Sequence, residues 1–281
     1  MFKCFKFCIS FLTRIPIQIE IKDFKEVAHK IYLFPIIGFI IGLIVSIITY
    51  FLSFFLPTLL VSIISVSLLI YITGAHHIDG LLDFGDGLMV VGSPKKKIEV
   101  MHDAAIGTGG FCLGFVVLIS TVFTIASSLQ NIFIVLIIGE ITANFSMVLI
   151  CSSSKSANTP MATDFIELNN WKHSVYALLV SILFIFFTLC LHFLIFYYSH
   201  GLYLNDLFFL LFKNLILDTI STLAPVILIT LICSLISTML IIYLAYHNFK
   251  GVTGDCIGAL HEITRLFTMI LLIFFFDFIF P

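Results

Sequence analysis

Charge is scarce in this sequence. Only 11% of its 281 residues are charged and 60% are hydrophobic, whereas a soluble domain carries about 25% charged residues. Together with a mean hydropathy of +1.18, this shortage argues against an ordinary soluble protein and predicts a chain that lies in a lipid bilayer. The basic residues form no stripe suited to nucleic acid, so no nucleic-acid partner is expected.

Sequence motifs typical of zinc sites, serine hydrolases and zinc proteases are also absent. The seven cysteines show no C-x-x-C spacing and lie mostly in apolar runs, so we interpret them as buried thiols, not as zinc ligands or disulfides. Neither G-x-S-x-G nor H-E-x-x-H occurs, which argues against a serine hydrolase and a zinc protease. The amino terminus has no small-residue cleavage site, so a cleaved signal peptide is not expected.

Long apolar runs predict an all-α fold, a polytopic integral membrane helical bundle with about seven transmembrane helices in one domain, 1–281. The runs are Ile31–Leu56, Thr58–Ile72, Phe111–Leu129, Ile132–Cys151, Val175–Tyr198, Thr219–Tyr246 (continuous or broken at Pro225) and a last run from Cys256 to Pro281. Leu207–Leu217 is too short to cross alone and is expected at the interface. Gly38 and Gly42 form a G-x-x-x-G pattern, which permits close helix packing.

Residues 1–30 are basic and amphipathic, so they predict an interfacial N-terminal helix. Further basic residues occur at Lys95–Lys97, at Lys155 and Lys172, and at Lys250. With the predicted spans between them, all of these segments fall on one side of the membrane. The positive-inside rule makes that side the cytoplasm.

The interval 73–110 is the one long stretch that is rich in charge. Asp79, Asp83 and Asp86 stand at i, i+4 and i+7, which places three carboxylates on one face of a helix. Like charges crowded in this way repel each other, so a cation is expected to neutralise them. Hard oxygen ligands favour Mg²⁺, Mn²⁺ or Ca²⁺.

Other residues of this interval extend the predicted site. Gly80, Gly85 and Gly87 alternate with the aspartates and would let an anionic substrate approach the backbone. Asp103 is a candidate fourth metal ligand. The run Gly107–Gly110 precedes a span and resembles a helix start that cradles phosphate.

The charged and histidine side chains around the aspartates leave alternatives open. Lys95–Lys97 can bind a phosphate or serve as a topology determinant near headgroups. His76 and His77 can act on a carboxylate or as a base, or simply pack at the interface. Metal-binding aspartates, basic residues and a glycine-lined approach together indicate phosphoryl transfer.

Five blocks, in order along the chain, resemble the cobalamin synthase family, the adenosylcobinamide-GDP ribazoletransferases. They are Phe11–Pro16 (FLTRIP), Phe34–Gly38 with Gly42, Thr73–Gly87 (TGAHHIDGLLDFGDG), Met101–Gly110 (MHDAAIGTGG), and Thr253–Ala259 (TGDCIGA) with Glu262. The H-x-D-G-x-x-D-x-x-D-G element is the most specific of them. The resemblance runs almost end to end.

The resemblance implies a magnesium-dependent membrane enzyme, with Mn²⁺ as a substitute. It would join adenosylcobinamide-GDP to α-ribazole or its 5′-phosphate and release GMP. The enzyme is expected in a prokaryotic cell membrane as a multi-pass protein with its active site facing the cytoplasm. Association into a homo-oligomer stays open.

The expected site residues fall into three groups. The catalytic candidates are His77, Asp79, Asp83 and Asp86, with Asp83 or His77 as the proton acceptor. The metal candidates are Asp79, Asp83, Asp86 and Asp103. The substrate-binding candidates are Arg14, Gly80, Gly87, Lys96, Gly107, Gly109, Asp255 and Glu262.

The chain departs from the family pattern at two positions. Thr142 stands where the family has an arginine, and Arg265 stands in place of a second acid near the end. The first change could weaken a phosphate contact, with Lys155 as a substitute. The second puts a catalytic role for the neighbourhood of Glu262 in doubt.

Two other functions compete with this interpretation. A CDP-alcohol-type phospholipid synthase uses a similar aspartate signature, but it should show D-G-x-x-A-R, which this chain lacks. A cation or metabolite transporter would need acids near mid-span and an inverted repeat. The acids cluster at one boundary instead, and no repeat is found.

Overall fold

The structure, a computed structural model, describes residues 2–15, 17, 28–128, 131–199 and 208–279. These residues form eleven α-helices and a 3₁₀ turn at Ile31–Leu33, with no strand among them, which confirms the predicted all-α class. The helices are α1 (Phe2–Leu12), α2 (Phe34–Ser53), α3 (Thr58–Thr73), α4 (His76–Met89), α5 (Pro94–Met101), α6 (Thr108–Ser127), α7 (Ile132–Ser153), α8 (Pro160–Glu167), α9 (Trp171–Ser199), α10 (Phe208–Phe249) and α11 (Gly254–Ile279).

Membrane-spanning segments dominate the described part of the chain. Six helices, α2, α6, α7, α9, α10 and α11, are long and apolar enough to cross a membrane. The pair α3 and α4 meets the same test together but is bent by 94°, which gives seven spans if the pair counts as one. The prediction of a polytopic bundle with about seven spans is confirmed.

The longest helix corrects one predicted boundary. Leu207–Leu217 was expected to be a separate interfacial segment, but residues from Phe208 onward continue into α10 without a break. Pro225 lies inside this helix and does not divide it. Proline is tolerated in membrane helices because neighbouring groups can satisfy the backbone carbonyl that it leaves free.

Helix α1 is amphipathic, as its sequence predicts. It buries Cys4, Phe7, Cys8 and Leu12 against the helical bundle. Pro16 and residues 18–27 of the predicted interfacial segment lie outside the described residues. The position of α1 at a membrane interface stays a prediction.

Helix α7 lies at the centre of the bundle, where it contacts α2, α9, α10 and α11. Its closest approach is to α2, through the two glycines of the G-x-x-x-G pattern. A Cβ added at Gly38 would lie 2.5 Å from the Glu140 carbonyl oxygen, and one at Gly42 would lie 2.7 Å from the Ile137 Cα. The pattern therefore does bring two backbones into contact, as predicted.

A left-handed turn separates the apolar helix α3 from the acidic helix α4. Gly74 ends α3 with φ 68° and donates its N–H to the Tyr71 carbonyl. Glycine adopts this conformation without a Cβ clash, so the chain can turn sharply here. The turn directs α4 away from the α3 axis, and α4 then packs between α6 and α11.

Candidate active site

The acidic face forms on α4 as the sequence predicts. Asp79 lies in the first turn and is exposed, Asp83 is half-buried one turn later, and Asp86 is buried. The exposure of the three carboxylates therefore decreases along α4 from Asp79 to Asp86. Each of the three aspartates lies in a different environment.

A fourth acid joins this face from a distant part of the chain. Helices α4 and α11 cross at two glycines: a Cβ added at Gly80 would lie 3.1 Å from the Asp255 Cα, and one at Gly258 would lie 3.2 Å from the His77 carbonyl oxygen. This close crossing sets Asp255, in the first turn of α11, beside the α4 carboxylates. Asp255 was predicted to bind substrate; it lies beside Asp79 and Asp83, and its contact with substrate stays a prediction.

The crowding of carboxylates acts most strongly on Asp83. Burial raises the pKa of the Asp83 carboxyl to about 7, and the negative charges of Asp255, Asp79 and Asp86 add to the rise. Asp83 lies on α4, beyond the bend and outside the six spanning helices. A carboxylate with such a pKa either takes up a proton near neutral pH or needs a nearby cation.

Asp86 already has a structural partner. Its carboxylate accepts hydrogen bonds from the backbone N–H groups of Gly107 (2.7 Å) and Gly110 (2.8 Å). These groups are at the N-terminus of α6, where free N–H groups and the helix dipole favour a negative charge. Asp86 therefore joins α4 to α6, and its predicted role as a metal ligand stays a prediction.

Several glycines of the predicted substrate site pack against protein. A Cβ added at Gly87 would lie 2.6 Å from the Met101 Cγ, and one at Gly109 would lie 2.6 Å from the Gly85 carbonyl oxygen. Gly107 faces the Asp86 carboxylate in the same way. Helix packing thus accounts for these glycines, and their contact with substrate stays a prediction.

The charged side chains at the rim are more open. Lys96 is exposed near the N-terminus of α5, and Asp103 is exposed and accepts the Ala105 N–H at 3.2 Å. The Arg14 guanidinium lies 5.4 Å from the centre of the Tyr71 ring, a cation–π contact. Substrate or metal contacts of these three residues stay predictions.

The carboxylates suit a hard divalent cation by their chemistry. Among the residues that the structure describes, no group of three His, Cys, Asp or Glu side chains is arranged to hold a metal ion. Mg²⁺ in phosphoryl-transfer sites is usually held by one or two carboxylates and by the substrate phosphates, so three protein ligands are not needed. Asp79 and Asp255, which line one cavity, provide such a pair.

Behind the acidic face lies a buried charged cluster. It consists of Glu140 on α7 and of His261, Glu262 and Arg265 on α11, each no more than 1% exposed. Arg265 Nη1 donates to Glu140 Oε1 at 3.2 Å, and Arg265 Nη2 donates to Glu262 Oε2. His261 lies 3.5 Å from Glu140 and 3.4 Å from Glu262.

This cluster bears on two predictions. Glu262 was predicted to bind substrate, but it is buried among Arg265 and His261 and does not line the cavity described below. Arg265, one of the two departures, has a defined place because it forms ion pairs with both Glu140 and Glu262. Thr142, the other departure, is buried and donates its hydroxyl to the Ile138 carbonyl at 2.7 Å.

A cavity of about 420 Å³ opens beside the acids. One end is polar and is lined by His76, His77, Asp79 and Asp255, with Gly80 and Gly258 at the helix crossing. The other end is mostly apolar and is lined by residues of α1, α2, α7, α8 and α11. A polar reacting group and an apolar body can therefore be held together in one place.

Spanning helices around a cavity with two carboxylates define a polytopic helical membrane protein with a candidate active site. The family model of cobalamin-5-phosphate synthases (CobS) matches residues 4–273, and the chain belongs to that family.

Individual relatives agree with the family match over nearly their whole lengths. The adenosylcobinamide-GDP ribazoletransferase of Methanocella arvoryzae is 27% identical over 261 residues, which cover 92% of this chain and 90% of the relative. The enzyme of the same name from Pyrococcus abyssi is 28% identical over 266 residues, with 95% and 96% covered. No solved structure matches the chain.

Sequence reasoning missed part of this site. His261 was not singled out, although His261, Glu262 and Arg265 interrupt an apolar run, and ionisable residues inside a membrane span signal a defined role. The apolar end of the cavity was also missed. Its residues come from five helices; Phe11 and Phe34 begin two of the family blocks, but no local pattern in the sequence links them to each other or to Phe165.

Proposed function

We propose that this chain joins adenosylcobinamide-GDP to α-ribazole, or to its 5′-phosphate, and releases GMP. The observation that supports this most directly is the cavity in which Asp79 and Asp255 lie beside an apolar end. The curated relatives carry the name of this transferase. Carboxylates that can hold a metal ion beside a cavity suit a reaction between a phosphoanhydride and an alcohol.

The proposed reaction is a single displacement at phosphorus. A ribose hydroxyl oxygen of the ribazole forms a bond to the phosphorus attached to cobinamide. The bond from that phosphorus to the bridging oxygen breaks, and GMP leaves with the bond's electron pair. The hydroxyl proton passes to a base on the protein, so atoms and charge balance.

Asp83 is the better proton acceptor of the two candidates. Burial and its acidic neighbours raise its pKa to about 7, which suits a general base at neutral pH. Burial, with the charge of His261 as the next cause, lowers the pKa of His77 well below its usual range. His77 is therefore assigned to positioning, and Asp83 to proton transfer.

Asp79 and Asp255 are proposed to hold Mg²⁺, or Mn²⁺ as a substitute, together with the substrate phosphates. The ion supplies charge neutralisation on the pyrophosphate when bound. The protein contributes the two carboxylates and the close helix crossing at Gly80 that keeps them together. Asp86 is not assigned to the ion, because its carboxylate accepts hydrogen bonds from the N-terminus of α6.

The proposed location is a prokaryotic cell membrane, with the active site on the cytoplasmic side. Because α3 and α4 are bent by 94°, only one helix of the pair can run across the membrane. We take this to be the apolar α3, with α4 at the boundary, and the seven crossings then leave the basic segments of the chain on one side. The positive-inside rule assigns that side to the cytoplasm. The acidic end of the cavity lies at the same boundary, since α4 leads directly to the Lys95–Lys97 segment.

GMP release by the purified protein in detergent tests this function. The assay contains adenosylcobinamide-GDP, α-ribazole and Mg²⁺, and we expect release to require all three and to stop with EDTA. Asp83→Asn should lower kcat by roughly 10²–10⁴-fold, the usual contribution of a general base. Asp79→Asn should instead raise the Mg²⁺ concentration needed for half-maximal rate.

The controls separate this reaction from its main competitor. Asp277→Asn, at the far end of α11, changes an acid that is not part of the site and should leave the rate unchanged. Release of CMP from a CDP-lipid, with no GMP release from the corrinoid substrate, would refute the proposal in favour of a phospholipid synthase.

A further inference from the structure

Three phenylalanines from separate helices form the apolar end of the cavity. They are Phe11 on α1, Phe34 at the start of α2 and Phe165 on α8. The ring centres are 6.0 Å apart for Phe11 and Phe34, 5.1 Å for Phe11 and Phe165, and 6.3 Å for Phe34 and Phe165. Phe34 and Phe165 are buried, so their rings are held in place by the surrounding helices.

The volume of the cavity limits its occupant. About 420 Å³ falls in the range of about 300–1,000 Å³ that holds a drug-sized ligand. A nucleoside is of that size, whereas a corrinoid with its nucleotide is far larger. The cavity can therefore hold a nucleoside unit, either ribazole or the guanosine of the other substrate, but not the corrinoid.

The two ends of the cavity match the two ends of a nucleoside. The ribose hydroxyls of the nucleoside must lie near the acids at the polar end, because the proposed reaction takes place there. Its flat base needs a surface for stacking, and aromatic side chains provide that for any heteroaromatic ring. A nucleoside carries its base and its hydroxyls on one molecule, so one occupant can contact both sets of lining residues.

Polarity decides which of the two bases, guanine or the base of ribazole, suits the aromatic end of the cavity. Guanine has several donors and acceptors along its edge, and leaving them unpaired in an apolar site is costly. Among the lining residues at the aromatic end, Ser10 and Cys151 are the side chains with a polar atom. The benzimidazole-type base of ribazole has a single free ring nitrogen, which one hydroxyl can satisfy.

We propose that Phe11, Phe34 and Phe165 form the binding site for the base of the ribazole substrate. This inference rests on the proposed function, because it assigns one of that reaction's substrates to this cavity. The ribose then lies toward Asp79, and the corrinoid stays outside and presents only its pyrophosphate. These phenylalanines determine which lower base the enzyme accepts.

Steady-state kinetics with Phe165→Leu and Phe34→Leu test the assignment. We expect the KM for α-ribazole to rise on the order of tenfold, the effect of losing one base–aromatic contact. The KM for adenosylcobinamide-GDP and the inhibition constant of GMP should not change. The matched control is Phe39→Leu, a buried phenylalanine that packs on Phe184 of α9 at 4.7 Å and does not line the cavity.

Three kinetic outcomes would overturn the assignment. A weaker GMP inhibition with an unchanged KM for α-ribazole would place guanine at the aromatic end. An equal effect of Phe39→Leu on the KM for α-ribazole would show general loosening of the bundle. No effect of either cavity variant would show that the base lies elsewhere.

Equilibrium dialysis of radiolabelled α-ribazole against the full chain in detergent separates this inference from the proposed function. If the wild type binds α-ribazole and Phe165→Leu binds it about tenfold more weakly, the aromatic site stands even without GMP release. If both bind it equally, the aromatic site is refuted whether or not GMP is released.

Discussion

The imidazole rings of His77 and His261 lie stacked, with centres 3.9 Å apart and planes inclined by 18°. His77 belongs to the acidic helix α4 and lines the cavity, whereas His261 belongs to the buried charged cluster of α11. The stack is thus a direct contact between the site and the cluster. Whatever orients His261 also orients His77, two residues before Asp79.

The charged cluster predicts a strong response to loss of Arg265. In Arg265→Met, two buried carboxylates, Glu140 and Glu262, lose their guanidinium partner. Removing one member of a buried ion pair costs about 3–5 kcal/mol. We therefore expect Arg265→Met to lower the melting temperature strongly, as measured by a thiol-reactive fluorophore that reports exposure of buried cysteines such as Cys151 and Cys233.

A charge exchange is the matched control for that prediction. The double variant Glu140→Arg, Arg265→Glu returns a cation to α7 that can face the acids of α11. It should be more stable than Arg265→Met and than Glu140→Arg alone, because only the exchange restores opposite charges across the two helices. Simple additivity of the two single changes would contradict an ion pair between these positions.

The pKa of Asp83 predicts how stability depends on pH without metal. Its folded-state pKa of about 7 lies above the unfolded value of about 3.9, so the folded protein holds more protons between these values. In EDTA, the free energy of unfolding should therefore fall as the pH rises from about 4 to about 7. Melting temperatures over this range test the direction, and Asp83→Asn should flatten the profile.

Magnesium should oppose that effect of pH. A cation beside the acids favours the charged form of Asp83, so Mg²⁺ should raise the melting temperature more at pH 8 than at pH 5. Equal stabilisation at the two pH values, in both wild type and Asp83→Asn, would mean that the ion binds away from these carboxylates.

The hydrogen bonds of Asp86 predict that its substitution lowers stability without weakening metal binding. Asp86→Asn keeps one acceptor oxygen but turns an amide toward the second N–H at the start of α6. We expect a loss of about 1–2 kcal/mol of stability, as for a helix N-cap. The Mg²⁺ concentration for half-maximal rate should stay unchanged, and a large increase with normal stability would instead make Asp86 a metal ligand.

The contact between α2 and α7 predicts that Gly38 tolerates no side chain. In Gly38→Ala the new Cβ would lie 2.5 Å from the Glu140 carbonyl oxygen, so the helices must separate. Overpacking of this kind costs about 1–3 kcal/mol, measurable as a lower melting temperature. Gly254→Ala, where nothing lies within 4 Å of the added Cβ, is the control and should melt like the wild type.

The sequence by itself determined the elements of this protein and one face of its site. Apolar runs predicted the spans because hydrophobicity and length are local properties, and the acidic face of α4 followed from the spacing of Asp79, Asp83 and Asp86. The class of protein and the family resemblance came from the same local information. Even so, the start of α10 was predicted wrongly, because Leu207–Leu217 is too short to cross alone and its continuation into the next apolar run is not evident from its own length.

Only the tertiary structure decided which partner each polar group has. Asp255 joins the acids because α4 and α11 cross at two glycines, and Asp86 is engaged by the N-terminus of α6. Arg265, a departure in sequence, is explained by Glu140 on another helix. Phe11, Phe34 and Phe165 become one surface only when α1, α2 and α8 meet. Such contacts depend on helix packing across long sequence separations, which hydrophobic periodicity does not encode.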